Sequence, residues 1–237
     1  MENISRRAFL AFTAGAAVAP SILWSAEQVP SLLDHILLGC SDLDRGIAFV
    51  EERTGVRAAF GGIHPGRGTQ NALLSLGTRR YLEIIAPDPQ QSSVEQYSVI
   101  TKLKEPRLIG WAAHRDDLDQ FAGRLRHHGV EFEGPQPGSR QRPDGKVLHW
   151  KALRLKDDHG GRLPFFIEWS KDSIHPSEDA PKGCTLQRFE VNTPETDDFL
   201  HAASRVELDL TTLTSTAKES SLRAAITGPK GEFAITS

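Results

Sequence analysis

The sequence predicts an α+β fold in which two paired βαβββ modules form a curved mixed sheet around a cleft, followed by a small C-terminal partial module. An internal repeat places a strand, a helix and three further strands in residues 32–90 and again in residues 108–171. Apolar residues make up 38% of the chain and charged residues 25%, as in ordinary globular proteins. Each module has one apolar sheet face to bury, so we expect the helices outside and the cleft between the sheets.

The first module begins with the apolar strand "LLDHILLGC". Ser41 or Asp42 then lies in an N-cap position, and Ile47 and Val50 line one face of a short helix that ends near Gly55. The turn "HPGRG" separates this helix from the strands "TQNALLSL" and "RRYLEII", which we predict to pair as a hairpin.

The second module repeats this order. The strand "RLIGWAAH" precedes a cap at Asp116 or Asp117, and apolar residues at helical spacing follow as far as Gly129. The turn "RPDGK" leads to the strands "VLHWKALRL" and "LPFFIEW". The pattern of residues 184–237 indicates a shortened strand-helix-hairpin unit.

Residues 1–26 are similar to a twin-arginine export signal. Arg6 and Arg7 precede a weakly hydrophobic, alanine-rich run. We therefore expect a periplasmic or extracellular protein whose signal is cut near Ala26 or is kept as an anchor.

No other apolar run is long enough to cross a membrane, and the formal charge of −3 argues against nucleic-acid binding. Cys40 and Cys184 are expected to be two buried thiols.

Superimposing the two modules brings polar residues of the strands into register. Glu83 falls on Glu168, His35 falls on Gly110, and Asn71 falls on His149. A carboxylate between two apolar residues faces opposite to them on a strand, so matched carboxylates in both copies favour a site in the cleft. Ion pairs with nearby arginines would explain Glu83 and Glu168 equally well. For His35 the alternative is a structural histidine held by hydrogen bonds.

The loops present further polar residues at matched places. "HPGRG" carries His64 and Arg67, and "SRQRPDGK" carries Arg140, Arg142 and Lys146. Glycines let backbone approach a ligand closely, and arginine suits a carboxylate or a phosphate. The alternative is a pair of well-formed turns with solvated charges.

Six segments together resemble the glyoxalase-like branch of the vicinal oxygen chelate superfamily, across about residues 32–176: "LDHILLGCSDLD", "HPGRGTQNALLSLG", "YLEII", "GWAAHRDDLD", "RPDG" and "PFFIEW". The resemblance implies a divalent metal, such as Zn, Ni, Mn or Fe, held by one side chain from the first and one from the last strand of each module. Carried over, the metal ligands are His35, Glu83 and Glu168, while Gly110 leaves the fourth position without a side chain.

Two functions follow from the resemblance. The first is a metal-dependent lyase or isomerase acting on a small oxygenated anionic substrate, in which Glu83, Glu168 or His149 moves a proton. The alternative is a metal-free protein that binds or sequesters a small molecule, with Trp111, Trp150, Tyr81 and Phe166 as walls. Either would be a monomer or a homodimer. The expected substrate-binding residues are His64, Arg67, Asn71, Arg142 and Trp150.

Overall fold

A computed structural model describes residues 28–92, 99–142 and 144–237. The predicted export signal, residues 1–26, lies outside the described residues. The strands are β1 (Leu33–Gly39), β2 (Ala59–His64), β3 (Thr69–Ser75), β4 (Tyr81–Pro87), β5 (Arg107–His114), β6 (Phe132–Gln141), β7 (Val147–Leu155), β8 (Phe165–Trp169), β9 (Thr185–Thr193), β10 (Thr214–Thr216), β11 (Ser221–Gly228) and β12 (Gly231–Thr236). The helices are α1 (Leu43–Thr54), α2 (Leu118–His127), α3 (Pro176–Asp179) and α4 (Thr196–Arg205).

The two modules share one eight-stranded sheet. Its order is β2-β3-β4-β1-β5-β8-β7-β6, so the modules meet where β1 and β5 pair antiparallel. Within each module the first and last strands pair in parallel, and the others pair antiparallel. The sheet curls until its edge strands approach each other, with Gly62 of β2 against the backbone of Gln141 in β6. The predicted fold class, with its curved mixed sheet, is confirmed.

Helix α1 covers the convex face of the first module. The Asp42 side chain accepts a hydrogen bond from the Arg45 N–H at 2.9 Å and caps the helix. The helix ends at Gly55, whose φ of 80° suits a residue without a Cβ. Its buried face includes Ile47 and Val50, as the helical spacing predicts. Capping and spacing therefore fix which face of α1 meets the sheet.

The C-terminal unit packs against the same hydrophobic core. Its four strands form a second sheet in the order β10-β9-β11-β12, and α4 follows β9. Phe189 of β9 meets Trp111 of β5, with ring centroids 5.3 Å apart. Trp111 and Phe166 are thus fully buried in this core and do not form walls of the cleft, which corrects that part of the sequence interpretation.

Two further observations concern the thiols and the helices of the described residues. Cys40 and Cys184 are free, buried thiols, as predicted. Within the described ranges no helix is both long and apolar enough to span a membrane.

Candidate active site

The concave face of the sheet encloses a cavity of about 60 Å³. Both modules of the chain contribute residues to its walls. A water molecule needs about 10–15 Å³ of such space, so the cavity holds a few waters or one small polar group. Its lining residues are His35, Leu37, His64, Arg67, Asn71, Tyr81, Glu83, Ile85, Arg140, Trp150, Arg154, Phe165, Ile167 and Trp169.

Glu83 is the buried carboxylate at the centre of this cavity. Its Oε1 accepts a hydrogen bond of 2.6 Å from Asn71 Nδ2 and lies 3.6 Å from His64 Nε2. Its Oε2 lies 3.5 Å from His35 Nε2. Burial raises the pKa of Glu83, but the neighbouring histidines, the Asn71 hydrogen bond and Arg140 outweigh it and lower the pKa below its usual value. Glu83 is therefore ionised at neutral pH.

Arg140 reaches the same cluster from the opposite edge of the sheet. Its Nη1 donates a hydrogen bond of 2.7 Å to Asn71 Oδ1, so Asn71 bridges the guanidinium and the Glu83 carboxylate. The path of Arg140 passes over Gly61, where an added Cβ would collide with the guanidinium. The glycine pair at 61 and 62 is thus explained by the close approach of β6 to β2.

Positive charge dominates the cavity. Three arginines line it, at positions 67, 140 and 154, against Glu83 as the one carboxylate among the described lining residues. His64 adds no charge at neutral pH, because burial, together with the nearby arginines, lowers its pKa to about 4. The His64 Nδ1 lies 2.9 Å from Thr69 Oγ1, which fixes the ring. The cavity therefore favours a small anion.

Aromatic side chains form the remaining walls. Tyr81 stacks on the ring of His35 with centroids 4.5 Å apart, and Trp150 meets Trp169 at 5.5 Å. The Arg154 guanidinium lies 5.0 Å from the centre of the Phe165 ring. These rings limit the space beside Glu83 and shield its charge interactions from water.

A second polar group lies behind His35. The Asp34 carboxylate is fully buried and contacts His35 Nδ1 at 2.7 Å and His175 Nε2 at 3.1 Å. It also accepts a hydrogen bond of 3.1 Å from Trp169 Nε1. Burial raises the pKa of Asp34, but the hydrogen bonds from the two histidines outweigh this and lower it far below its usual value.

Glu168 is not brought to the cavity, which corrects the alignment of the two modules. Its carboxylate accepts a hydrogen bond of 2.8 Å from the backbone N–H of Leu118, at the start of α2. In β8 the cavity side is formed by Phe165, Ile167 and Trp169, so Ile167 occupies the place that Glu83 has in β4. The "FIE" motif therefore lies one residue beyond the structural equivalent of "YLE". A shift of one residue along a strand turns the side chain to the opposite face of the sheet, so Glu168 points away from the cavity.

Two other predicted residues also lie elsewhere. His149 is exposed on the face of β7 opposite Trp150, and its backbone pairs with Ser170 and Ser173. Arg142 binds Asp179 and Asp144 outside the cavity. By contrast, the cavity contains His35, His64, Arg67, Asn71, Glu83 and Trp150 from the predicted set.

The divalent ion implied by the resemblance does not fit these residues. His35 and His64 both lie beside Glu83, but the described residues of the second module offer no ligand: Ala112 lies opposite His35, and Gly110 lies opposite Leu37. Within the described part of the chain, no group of three or more His, Cys, Asp and Glu side chains could hold a metal ion. The surrounding arginines further disfavour a cation.

Three ionisable residues of the site were not singled out from the sequence. His175 comes from the connector after the second module, Arg154 lies on β7, and Asp34 precedes His35. Asp34 had a local signal, because an acid beside a candidate histidine can orient its ring. His175 had none, since only the fold brings it to within 3.1 Å of Asp34.

Comparison with known proteins agrees with this architecture. A family model described as a glyoxalase-like domain matches residues 33–207. Comparison with curated proteins gives no match. A hypothetical protein from Staphylococcus aureus is 18% identical, with 86% of this chain and 84% of that chain covered and a TM-score of 0.62, which shows a shared fold.

Two epimerases resemble the chain less closely in structure. The methylmalonyl-CoA epimerase of Streptomyces coelicolor, solved with 2-nitronate-propionyl-CoA, is 23% identical over 59% of this chain and 98% of that chain, with a TM-score of 0.44. The methylmalonyl-CoA epimerase from Mycobacterium tuberculosis is 20% identical over 62% and 92%, with a TM-score of 0.41.

Proposed function

Because the chain belongs to the glyoxalase-like domain family, we propose that it is a lyase-type or isomerase-type enzyme acting on a small oxygenated anion in the cavity between its modules. One observation carries this proposal: the buried, ionised Glu83 lies beside His35 in a cavity lined by three arginines. Such a site combines a proton acceptor with groups that stabilise negative charge.

The arginines select the substrate by charge. Arg140 is buried and held by Asn71, so its guanidinium is already oriented before a ligand enters. Arg67 and Arg154 line the same space. A carboxylate or a polarised carbonyl oxygen that meets these groups gains charge-assisted hydrogen bonds. The cavity volume of about 60 Å³ limits the reacting part of the substrate to a few heavy atoms.

The proposed reaction is proton transfer next to a carbonyl or carboxylate group. The proton on the neighbouring carbon moves to His35 Nε2 or to Glu83, and the electron pair of the broken C–H bond forms an enolate whose oxygen faces the guanidinium groups. Return of the proton to the other face of that carbon completes an isomerisation. Departure of a group from the next carbon, with its bonding electrons, completes an elimination.

Hydrogen exchange tests the proposal, because removal of the proton can be observed whatever the final product is. The full chain is incubated in heavy water with small acids such as malonate, 2-oxobutyrate and lactate, and loss of the C–H signal is followed by proton NMR. We expect exchange with at least one of them and a loss of about 100-fold in Glu83→Gln. Glu168→Gln is the matched control, because it makes the same change at a carboxylate outside the cavity.

A second candidate function is binding of the anion without chemistry. The observation that favours it is the lowered pKa of both Glu83 and His64, since a lowered pKa makes a weaker base. Binding of the same acids, measured by calorimetry, with no exchange above the uncatalysed rate would establish this candidate in place of the enzyme.

We also propose export by the twin-arginine route, on the strength of Arg6 and Arg7 before the alanine-rich run. Expression of the full chain in a bacterial host, followed by separation of periplasm and cytoplasm, tests it. We expect periplasmic or membrane-attached protein from the natural sequence and cytoplasmic protein from the double variant Arg6→Lys, Arg7→Lys. Equal distribution of both forms would refute the export proposal.

A further inference from the structure

Asp34 receives three hydrogen-bond donors although no solvent reaches it. Its Oδ1 faces His35 Nδ1 at 2.7 Å, and its Oδ2 faces His175 Nε2 and Trp169 Nε1, each at 3.1 Å. An ionised carboxylate is an acceptor only, so each of these nitrogens must present a proton to it. The carboxylate therefore sets the proton positions of both histidines.

Helix α3 independently fixes the proton on His175. The His175 ring is the N-cap of this helix, and its Nδ1 accepts a hydrogen bond of 3.2 Å from the Ser177 N–H. The Ser177 hydroxyl lies 2.8 Å from the same nitrogen. Since Nδ1 is an acceptor, the ring proton must be on Nε2, which is the nitrogen that faces Asp34.

The same reasoning places the proton of His35. Its Nδ1 carries a proton because it contacts the ionised Asp34. Its Nε2 lies 3.5 Å from Glu83 Oε2, whereas a protonated nitrogen beside a carboxylate would form a bond of about 2.7–2.9 Å. The lone pair of His35 Nε2 thus faces the cavity beside the Glu83 carboxylate.

We propose that Asp34 and His175 are positioning residues that hold His35 in the tautomer with its proton on Nδ1, so that Nε2 is the proton acceptor of the site. Trp169 supports the same carboxylate from the cavity wall. The role of Nε2 as acceptor rests on the proposed function. The tautomer itself does not depend on that function.

Nitrogen NMR tests the tautomer directly. The full chain is labelled with ¹⁵N-histidine, its nine histidines are observed in long-range ¹H–¹⁵N spectra, and His35 is assigned by its loss in His35→Gln. We expect a proton on Nδ1 alone for His35 and on Nε2 for His175. In Asp34→Asn we expect His35 to lose the Nδ1–H signature. A proton on His35 Nε2 in the natural protein, alone or beside one on Nδ1, would overturn the proposal.

Two variants of His175 keep the test decisive if Asp34→Asn fails to fold. His175→Gln retains an N–H that can reach Asp34, so the single His35 tautomer should persist. His175→Leu removes that donor and leaves Trp169 to hold Asp34 Oδ2, so the carboxylate can turn away from His35 Nδ1. His35 should then show a mixture of tautomers. An unchanged His35 spectrum in folded His175→Leu or Asp34→Asn would refute the positioning role. Failure of the hydrogen-exchange assay would leave these spectra unaffected, so the two proposals can fail separately.

Discussion

Glu168 accepts a hydrogen bond of 2.8 Å from the backbone N–H of Leu118 and so caps the N-terminus of α2. Asp117 occupies the N-cap position but makes no capping bond with its side chain, which instead accepts a hydrogen bond from Arg124. A carboxylate from the neighbouring strand thus supplies what the local sequence does not. It also suits the partial positive charge at a helix N-terminus.

Loss of this cap is expected to weaken the fold and spare the cavity. Glu168→Ala should lower the free energy of unfolding by about 1 kcal/mol, and Glu168→Gln by a smaller amount because its amide oxygen still accepts the Leu118 N–H. Urea denaturation measures both values. Anion binding should be equal to that of the natural protein, and a binding loss of tenfold or more would contradict the outward position of Glu168.

Strand alternation within one module could be predicted from the sequence alone. His35, Asn71 and Glu83 lie on one face because the strands of the first module follow the two-residue period of their apolar neighbours. Comparison between the modules gives the wrong face for Glu168, because the similar tripeptide "FIE" lies one residue beyond the structural equivalent of "YLE". In a strand an error of one residue assigns the side chain to the opposite face of the sheet.

Contacts that cross the molecule could not be predicted in this way. Arg140 meets Asn71 because the sheet curls until β6 approaches β2, which is a property of the whole sheet. His175 reaches Asp34 from a connector outside the repeat, 141 positions along the chain. Neither of these two contacts is encoded in a local sequence pattern, although Arg140 and His175 both lie in or beside segments that the sequence predicts to be rich in turns.

Removal of the Arg140 guanidinium is expected to abolish most anion binding. Arg140→Ala should weaken malonate binding by about 10-fold to 100-fold, and Arg140→Lys by less, because lysine keeps the charge and loses the planar fork. Titration calorimetry gives the affinities. Lys151→Ala is the control, since it removes a cation that binds Asp119 on the outer face of the sheet. An equal loss in that control would show a general charge effect.

Gly61 is expected to be intolerant of any side chain. An added Cβ would collide with Arg140 Nη1 and Asn71 Oδ1, so Gly61→Ala should cost about 1–3 kcal/mol of stability and displace the guanidinium. Thermal unfolding and malonate titration measure the two effects. Gly123→Ala is the matched control, because its Cβ would meet nothing within 4 Å and alanine favours the helix. Full anion affinity in Gly61→Ala would contradict the path assigned to Arg140.

The metal content of the protein is expected to be well below one ion per chain. The chain is purified without chelator, incubated with zinc, nickel or manganese, dialysed and measured by elemental analysis. His35, His64 and Glu83 lie together, but the described residues of the second module add no ligand, and arginines surround the three side chains. One ion per chain, lost in both His35→Gln and Glu83→Gln, would restore the metal-dependent form of the enzyme.

His64 is expected to make stability fall between pH 7 and pH 5. In the folded chain burial, together with the arginines, lowers its pKa to about 4, against an ordinary value near 6.5. At a pH between these two pKa values, His64 is protonated in the unfolded chain and neutral in the folded chain. Acidification therefore favours unfolding. Linkage gives a loss of about 2 kcal/mol from pH 7 to pH 5 for this one group.

His64→Asn should remove that contribution while keeping a polar side chain near Thr69 and Asn71. Urea denaturation at pH 7, 6 and 5 gives the free energy of unfolding at each pH, and the decline should be smaller by about 2 kcal/mol in the variant. His149→Asn removes an exposed imidazole outside the cavity and controls for the loss of a histidine as such.

Lowered pKa values at Asp34 and Glu83 also cost stability on acidification, but mainly below pH 4.5, because their ordinary values lie near 4. Parallel pH curves for natural protein and His64→Asn would therefore mean that His64 is not held neutral by the cavity, and the net positive charge assigned to the site would have to be revised upward.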